Sequence, residues 1–210
     1  MPFYKEIVLN SLSSIFVWKI EEEFNSMFRK VQLKDTSLAR LESMKSESHQ
    51  KGFLAVRLLL QHIGYSDFDL YYDDFGKPHL KDGKQISISH SYDFSSILIS
   101  DIISGIDLEV LKEKIVTIAP RFMDIKHIEG LNSFDKIKKA TVIWGVKEAI
   151  FKIKNEKGIS FPKHIFEDEF DLNTTFGKAQ LKFNDCIEHY QFRFEFIENY
   201  ALVCAFENKE

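Results

Sequence analysis

Cysteine is scarce in this chain. There are two in 210 residues, Cys186 and Cys204. No CxxC pair and no Cys/His cluster occurs, which excludes a zinc-stapled fold. Both thiols are expected to be buried and reduced. A basic excess is also missing. Lys and Arg total 28 against 32 Asp and Glu, for a formal net charge of -4. A chain that wraps nucleic acid usually carries the opposite balance, so no nucleic-acid partner is expected. A local basic pocket for a small phosphorylated ligand stays compatible with it. Long apolar runs are missing too. Runs such as "FLAV" and "LLL" on either side of Arg57 are far too short to span a bilayer. The opening MPFYKEIVLN lacks the basic-then-apolar pattern of a signal peptide. A cytoplasmic protein with no membrane partner is the expectation. There is no low-complexity segment and no repeat of solenoid length.

What remains is an ordinary globular composition, 44% apolar and 29% charged, with 20 phenylalanines. That predicts a sizeable core rich in aromatic packing. "SSIFVWKI" (13–20) reads as a strand. Residues 38–64 read as helix, in one or two pieces, with Phe53, Val56, Leu59, Leu60 and Ile63 spaced by three and four and Gly64 as C-cap. "YYDDFGKPHLKDG" (71–83) is dense in turn residues. "QISISHS" (85–91), "SSILIS" (95–100) and "SGIDLEV" (104–110) read as strands, the last two as a hairpin. Residues 111–155 are mostly helical, most clearly 134–154. The remainder alternates as strands, with Tyr190, Phe192, Phe194 and Phe196 on one face and "YALVCAF" fully buried. Helices followed by strands, twice over, predict an α+β fold of two similar halves, 1–103 and 104–210.

The chemistry concentrates in "SGIDLEV". Residues two apart on a strand share a face, so Asp107 and Glu109 project together. Adjacent carboxylates repel unless a cation sits between them, and oxygen ligands of this kind suit Mg²⁺. The plain alternative is a solvent-facing strand edge. In the 134–154 helix, Glu148 and Lys152 are four apart and share a face roughly opposite the stripe Ile143, Val146, Ile150, Ile153. Taken alone they read as an exposed Glu–Lys pair, and Lys147 as a solvated charge. Lys77, presented by a Gly76–Pro78 turn, and Ser89, His90 and Ser91 at a strand end are donors suited to phosphate oxygens.

Together, "GKP" (76–78), "SHS" (89–91), Gly105-Ile106-Asp107-Leu108-Glu109 and Trp144-x-x-Lys147-Glu148-x-x-x-Lys152 resemble the 4′-phosphopantetheinyl transferase superfamily, in its larger single-chain type. "APRFMD" (119–124) resembles the segment preceding the second family motif. The match covers about residues 53 to 154. The resemblance implies two α+β halves related by a pseudo-twofold axis, with the active site at their interface, and a monomer. It implies transfer of the phosphopantetheine arm of coenzyme A to a serine of an apo carrier protein. It further implies Mg²⁺ (or Mn²⁺) on Asp107, Glu109 and Glu148, with Glu148 taking the serine proton and Lys152 stabilising the pyrophosphate. Arg57, Lys77, Ser89 and His90 would hold the nucleotide end. The early basic pair of the family has no clear counterpart; Lys45, His49 and Lys51 are candidates. Trp144 is expected to pack rather than bind. Leu111, Ile115, Phe122 and Met123, with Lys112, Lys114, Arg121 and Lys126, would form a carrier groove with a basic rim, or else a plain amphipathic helix. Two other classes compete: a Mg²⁺-dependent nuclease or phosphohydrolase, and a non-catalytic carrier-binding module.

Overall fold

The computed structural model describes residues 3–208. It is a mixed α+β protein, 33% helix and 35% strand, whose sheets are antiparallel. Two compact units divide at Ile102/Ile103. No helix among the described residues is long and apolar enough to cross a membrane.

In the first unit, β1 (Phe3–Asn10), β2 (Ser13–Lys19), β5 (Gln85–Ser91) and β6 (Phe94–Ser100) form a sheet in the order β1-β2-β6-β5. Between them run α1 (Phe24–Phe28), α2 (Asp35–Ser43), α3 (Glu47–His62) and a small hairpin of β3 (Leu70–Tyr72) and β4 (Pro78–Leu80). The helical pattern of 38–64 divides in two because Met44 turns extended between α2 and α3. Gly64 closes α3 as expected. Its N–H donates to Gln61 O and that of Tyr65 to Leu60 O, a Schellman arrangement. Leu54, Leu59 and Leu60 of α3 are fully buried and pack with Ile86 of β5 and Ile97 of β6.

In the second unit, β7 (Ser104–Val110) is followed by α4 (Lys114–Ile118), α5 (Ser133–Lys154), α6 (Phe161–His164), β8 (Ile165–Glu167), β9 (Phe176–Phe183), β10 (Cys186–Ile197) and β11 (Tyr200–Glu207). The sheet order is β7-β11-β10-β9-β8. Asn132 caps α5 by accepting from Asp135 N–H, and Lys152 and Lys154 complement the dipole in its last turn. Val142, Ile143, Val146, Ala149 and Ile150 of α5 share one buried core with Tyr190, Phe192 and Phe194 of β10.

Two sequence expectations are corrected here. "SSILIS" and "SGIDLEV" do not pair as a hairpin. β6 lies between β2 and β5, and β7 pairs with β11. The short "DIISG" link carries the chain from one unit to the next, and a turn signature does not reveal which strand each arm will pair with. Cys204 is buried as expected, its thiol pushed up to about 12 chiefly by desolvation, but Cys186 is exposed at the start of β10.

Candidate active site

The site forms where α5 lies across β7 and β11. Small residues let the helix approach closely. A Cβ on Gly105 would stand 2.1 Å from the Ala149 carbonyl oxygen and 3.1 Å from Ile153. Opposite Gly105 and Glu109 in β11 stand Ala205 and Ala201. On the helix side, a Cβ on Gly145 would meet Val203 at 2.7 Å and Asp107 Oδ2 at 3.7 Å.

This contact answers why a buried-looking strand carries two acids. Positions 105, 107 and 109 share a face, and that face is turned towards α5. Asp107 is 4% exposed and so is not on a solvent-facing edge. Ile106 and Leu108, on the other face, are buried as well. Glu148 and Lys152 come down from the helix onto the same acids. Lys152 Nζ lies 2.8 Å from Asp107 Oδ1 and 2.8 Å from Ile106 O. The Glu148 carboxyl is raised to about 7. Burial is the main cause and the Asp107 charge the second; Lys152 opposes both, and Glu109 adds a further rise. The pair is therefore not the exposed Glu–Lys pair that helical spacing alone suggests.

Among the described residues, no group of three or more His, Cys, Asp or Glu forms a preassembled metal centre. The donor chemistry fits a hard divalent cation all the same. The Asp107 and Glu109 charges both act on Glu148, and the burial and repulsion that raise it are what such a cation relieves. Lys152 already brings one positive charge to Asp107.

In the first unit, Ser89 and His90 are neighbours on β5. Ser89 is buried and its carbonyl accepts from Ser96 Oγ, whereas His90 is exposed. The His90 ring lies against Gly52 of α3, and His49 stands edge-on to it with centroids 6.1 Å apart. Lys77 sits in the β3–β4 turn, its N–H donating to Asp73 Oδ1. Arg57 corrects its expected role. It is 2% exposed and its Nε donates to Asp67 Oδ1 at 3.0 Å, while Asp67 also accepts from Ser37 Oγ and Lys34 N–H. Its guanidinium also lies over the Phe53 ring. A buried cation so engaged locks α2, α3 and the following loop together instead of facing a nucleotide.

Of the two readings of the segment after β7, the structure shows packing on its own core. Leu111, Phe122 and Met123 belong to the core of the second unit, and Ile115 packs partly against it. Lys112, Lys114, Arg121 and Lys126 remain exposed. Trp144 packs edge-on to Phe122 and Phe161, as a structural residue should.

Lys147 is the largest surprise. It is 2% exposed, donates to Ile165 O and pairs with Glu167 Oε2 at 2.6 Å. Desolvation lowers its pKa, opposed by the Glu167 charge and hydrogen bond. His127 stands 3.6 Å from Glu167 and 2.8 Å from Glu169, and Lys139 pairs with Glu169. The chain of charges ties two points of α5 to β8 and the segment after it. The signal was in the spacing: Lys139, Ile143, Lys147 and Ile150 lie on one helical face. Lys147→Met should destabilise the protein by about 3–5 kcal/mol, because it leaves Glu167 buried against an apolar group. The double variant with Glu167→Met should recover part of that loss. Urea unfolding of the wild type and the two variants checks both statements.

No protein-family model matches this chain, and no curated protein does.

Proposed function

We propose that this protein transfers the 4′-phosphopantetheine arm of coenzyme A to a serine of an apo carrier protein, releasing adenosine 3′,5′-bisphosphate. The observation that carries this reading is the meeting of Asp107, Glu109, Glu148 and Lys152 where α5 crosses β7, with Glu148 raised to about 7. Asp107, Glu109 and Glu148 would hold Mg²⁺ or Mn²⁺. Bound there, the ion supplies charge neutralisation at the pyrophosphate of coenzyme A.

The chain's own groups do the rest. Glu148, poised near neutral pH, accepts the proton of the carrier serine, directly or through water. The serine Oγ forms its bond to the phosphorus that carries the pantetheine arm. The bond from that phosphorus to the bridging oxygen breaks, and the adenosine bisphosphate leaves with the oxygen. Lys152, one turn from Glu148, balances the charge gathering on the phosphates. Lys77, Ser89 and His90 take the nucleotide end, with His49 beside His90. The pseudo-twofold relation of the halves, the interface position of the site and the monomeric state belong to this proposal.

Calorimetry with coenzyme A tests it. Binding should need Mg²⁺ and should weaken at least tenfold in Asp107→Asn. No coenzyme A binding, with Mg²⁺-dependent cleavage of a phosphodiester instead, would replace this reading with the nuclease one.

A further inference from the structure

Asp107 is buried, yet its Oδ1 is held by an ammonium rather than left facing the other carboxylates. Lys152 Nζ reaches it at 2.8 Å and anchors itself on Ile106 O at the same distance. The two ends of this pair differ in their freedom. The Asp107 side chain is 6% exposed and fixed on β7, whereas that of Lys152 is 29% exposed at the last turn of α5. A lysine on a flexible stem, with one side open to solvent, can leave its partner; a buried carboxylate on a short stem fixed to a strand cannot.

We propose that Lys152 is an exchangeable counter-ion: a divalent cation and the Lys152 ammonium compete for Asp107, so that metal binding drives Lys152 off that carboxylate. This rests on the metal reading above. The physical reason is direct. The Asp107 and Glu109 carboxylates repel Glu148 in a partly buried setting, and the Lys152 ammonium offsets part of that repulsion. A cation entering the same carboxylates gains less if the repulsion is already offset, and it meets a like charge a few ångströms away. The exchange has a consequence for the reaction. The arriving metal would release a cation beside the site, where an incoming pyrophosphate can use it. Lys152 would then meet the phosphates only in the loaded state.

Titration of the metal-free protein with Mn²⁺, read by electron paramagnetic resonance without coenzyme A or carrier, tests the competition. Lys152→Met should bind Mn²⁺ at least tenfold more tightly than wild type, although a transferase would lose activity. Lys152→Arg should stay near wild type. Lys154→Met removes an equal charge two residues away, from a lysine that pairs with Glu188 at 2.6 Å, and should leave the affinity within about twofold. Equal or weaker affinity in Lys152→Met overturns the inference, as does a comparable gain in Lys154→Met.

A second measurement needs no variant. Saturating Mg²⁺ should raise the rate of reductive methylation at Lys152 several-fold in the wild type and leave Lys154 unchanged. An unchanged or lowered rate at Lys152 overturns the exchange. Tight Mn²⁺ binding with no effect of Lys152→Met would end this inference and leave the transferase reading standing. No Mn²⁺ binding by any variant would end the inference and the metal assignment together.

Discussion

Gly105→Ala should strongly destabilise the second unit. The added methyl would stand 2.1 Å from the carbonyl oxygen of Ala149 and 2.9 Å from its carbon, both backbone atoms of α5. A flexible side chain could swing aside from such a contact; the backbone of a 22-residue helix cannot. The helix would have to lift from β7, and with it every contact of Ile143, Val146 and Ile150 with the sheet. Overpacking ordinarily costs about 1–3 kcal/mol. Here a backbone clash under the central helix places the cost at that upper end or beyond, a large share of a typical stability of about 5–15 kcal/mol. Thermal unfolding is the check. Expression as insoluble protein, or a fall in Tm of about 10 °C or more, is the expected result. A variant with wild-type Tm would mean that the helix does not approach the strand as closely as described.

Glu148→Gln should lose transfer by roughly 10³-fold, through loss of both a base and a metal ligand, and yet gain stability at alkaline pH. The sign follows from the raised carboxyl. Its folded pKa of about 7 exceeds the ordinary value of 4.5, so the folded state holds the proton more tightly than the unfolded state. The folded protein is therefore penalised as pH rises from about 4.5 to 7, and the penalty is complete above 7. Because the side chain is partly solvated, screening reduces the effect to about 1–3 kcal/mol. In metal-free buffer at pH 8, Glu148→Gln should unfold at higher urea than wild type, and at pH 4 the two should agree. A variant less stable than wild type at pH 8 would show that Glu148 is not held against the acids of β7. Added Mg²⁺ should narrow the gap at pH 8, since a cation relieves the same repulsion in the wild type.

Much of this was legible in the sequence, and the reason is local. β5 and β7 were readable to the residue because alternation of apolar and polar groups has a period that no helix shares. The long α5 showed itself by its stripe of Ile143, Val146 and Ile150. The acids and Lys152 were readable as chemistry because residues two apart on a strand, or four apart on a helix, must share a face. What was not legible depends on distant partners. β1 alternates in burial, but "FYKEIVLN" mixes charge with apolar residues and only its pairing with β2 marks it as a strand. β3 and β4 are three residues each, inside a segment dominated by turn formers. Arg57 sits among apolar residues and Lys147 beside Glu148, yet each is buried because a distant acid, Asp67 or Glu167, meets it. Nothing near either lysine or arginine announces such a partner. The position of Lys152 on Asp107 was hidden for the same reason: helical spacing relates it to Glu148, while only the absence of a side chain at Gly105 brings it down onto β7.

The proposed group transfer at this acidic face is read out by the intact mass of an apo carrier protein. The purified protein would be incubated with coenzyme A, Mg²⁺ and each of several unrelated apo carriers, with Asp107→Ala and EDTA as controls. At least one carrier should gain the mass of a single phosphopantetheine arm, and the gain should disappear in both controls. An unmodified mass for every carrier, or a gain that survives Asp107→Ala and EDTA, would contradict it.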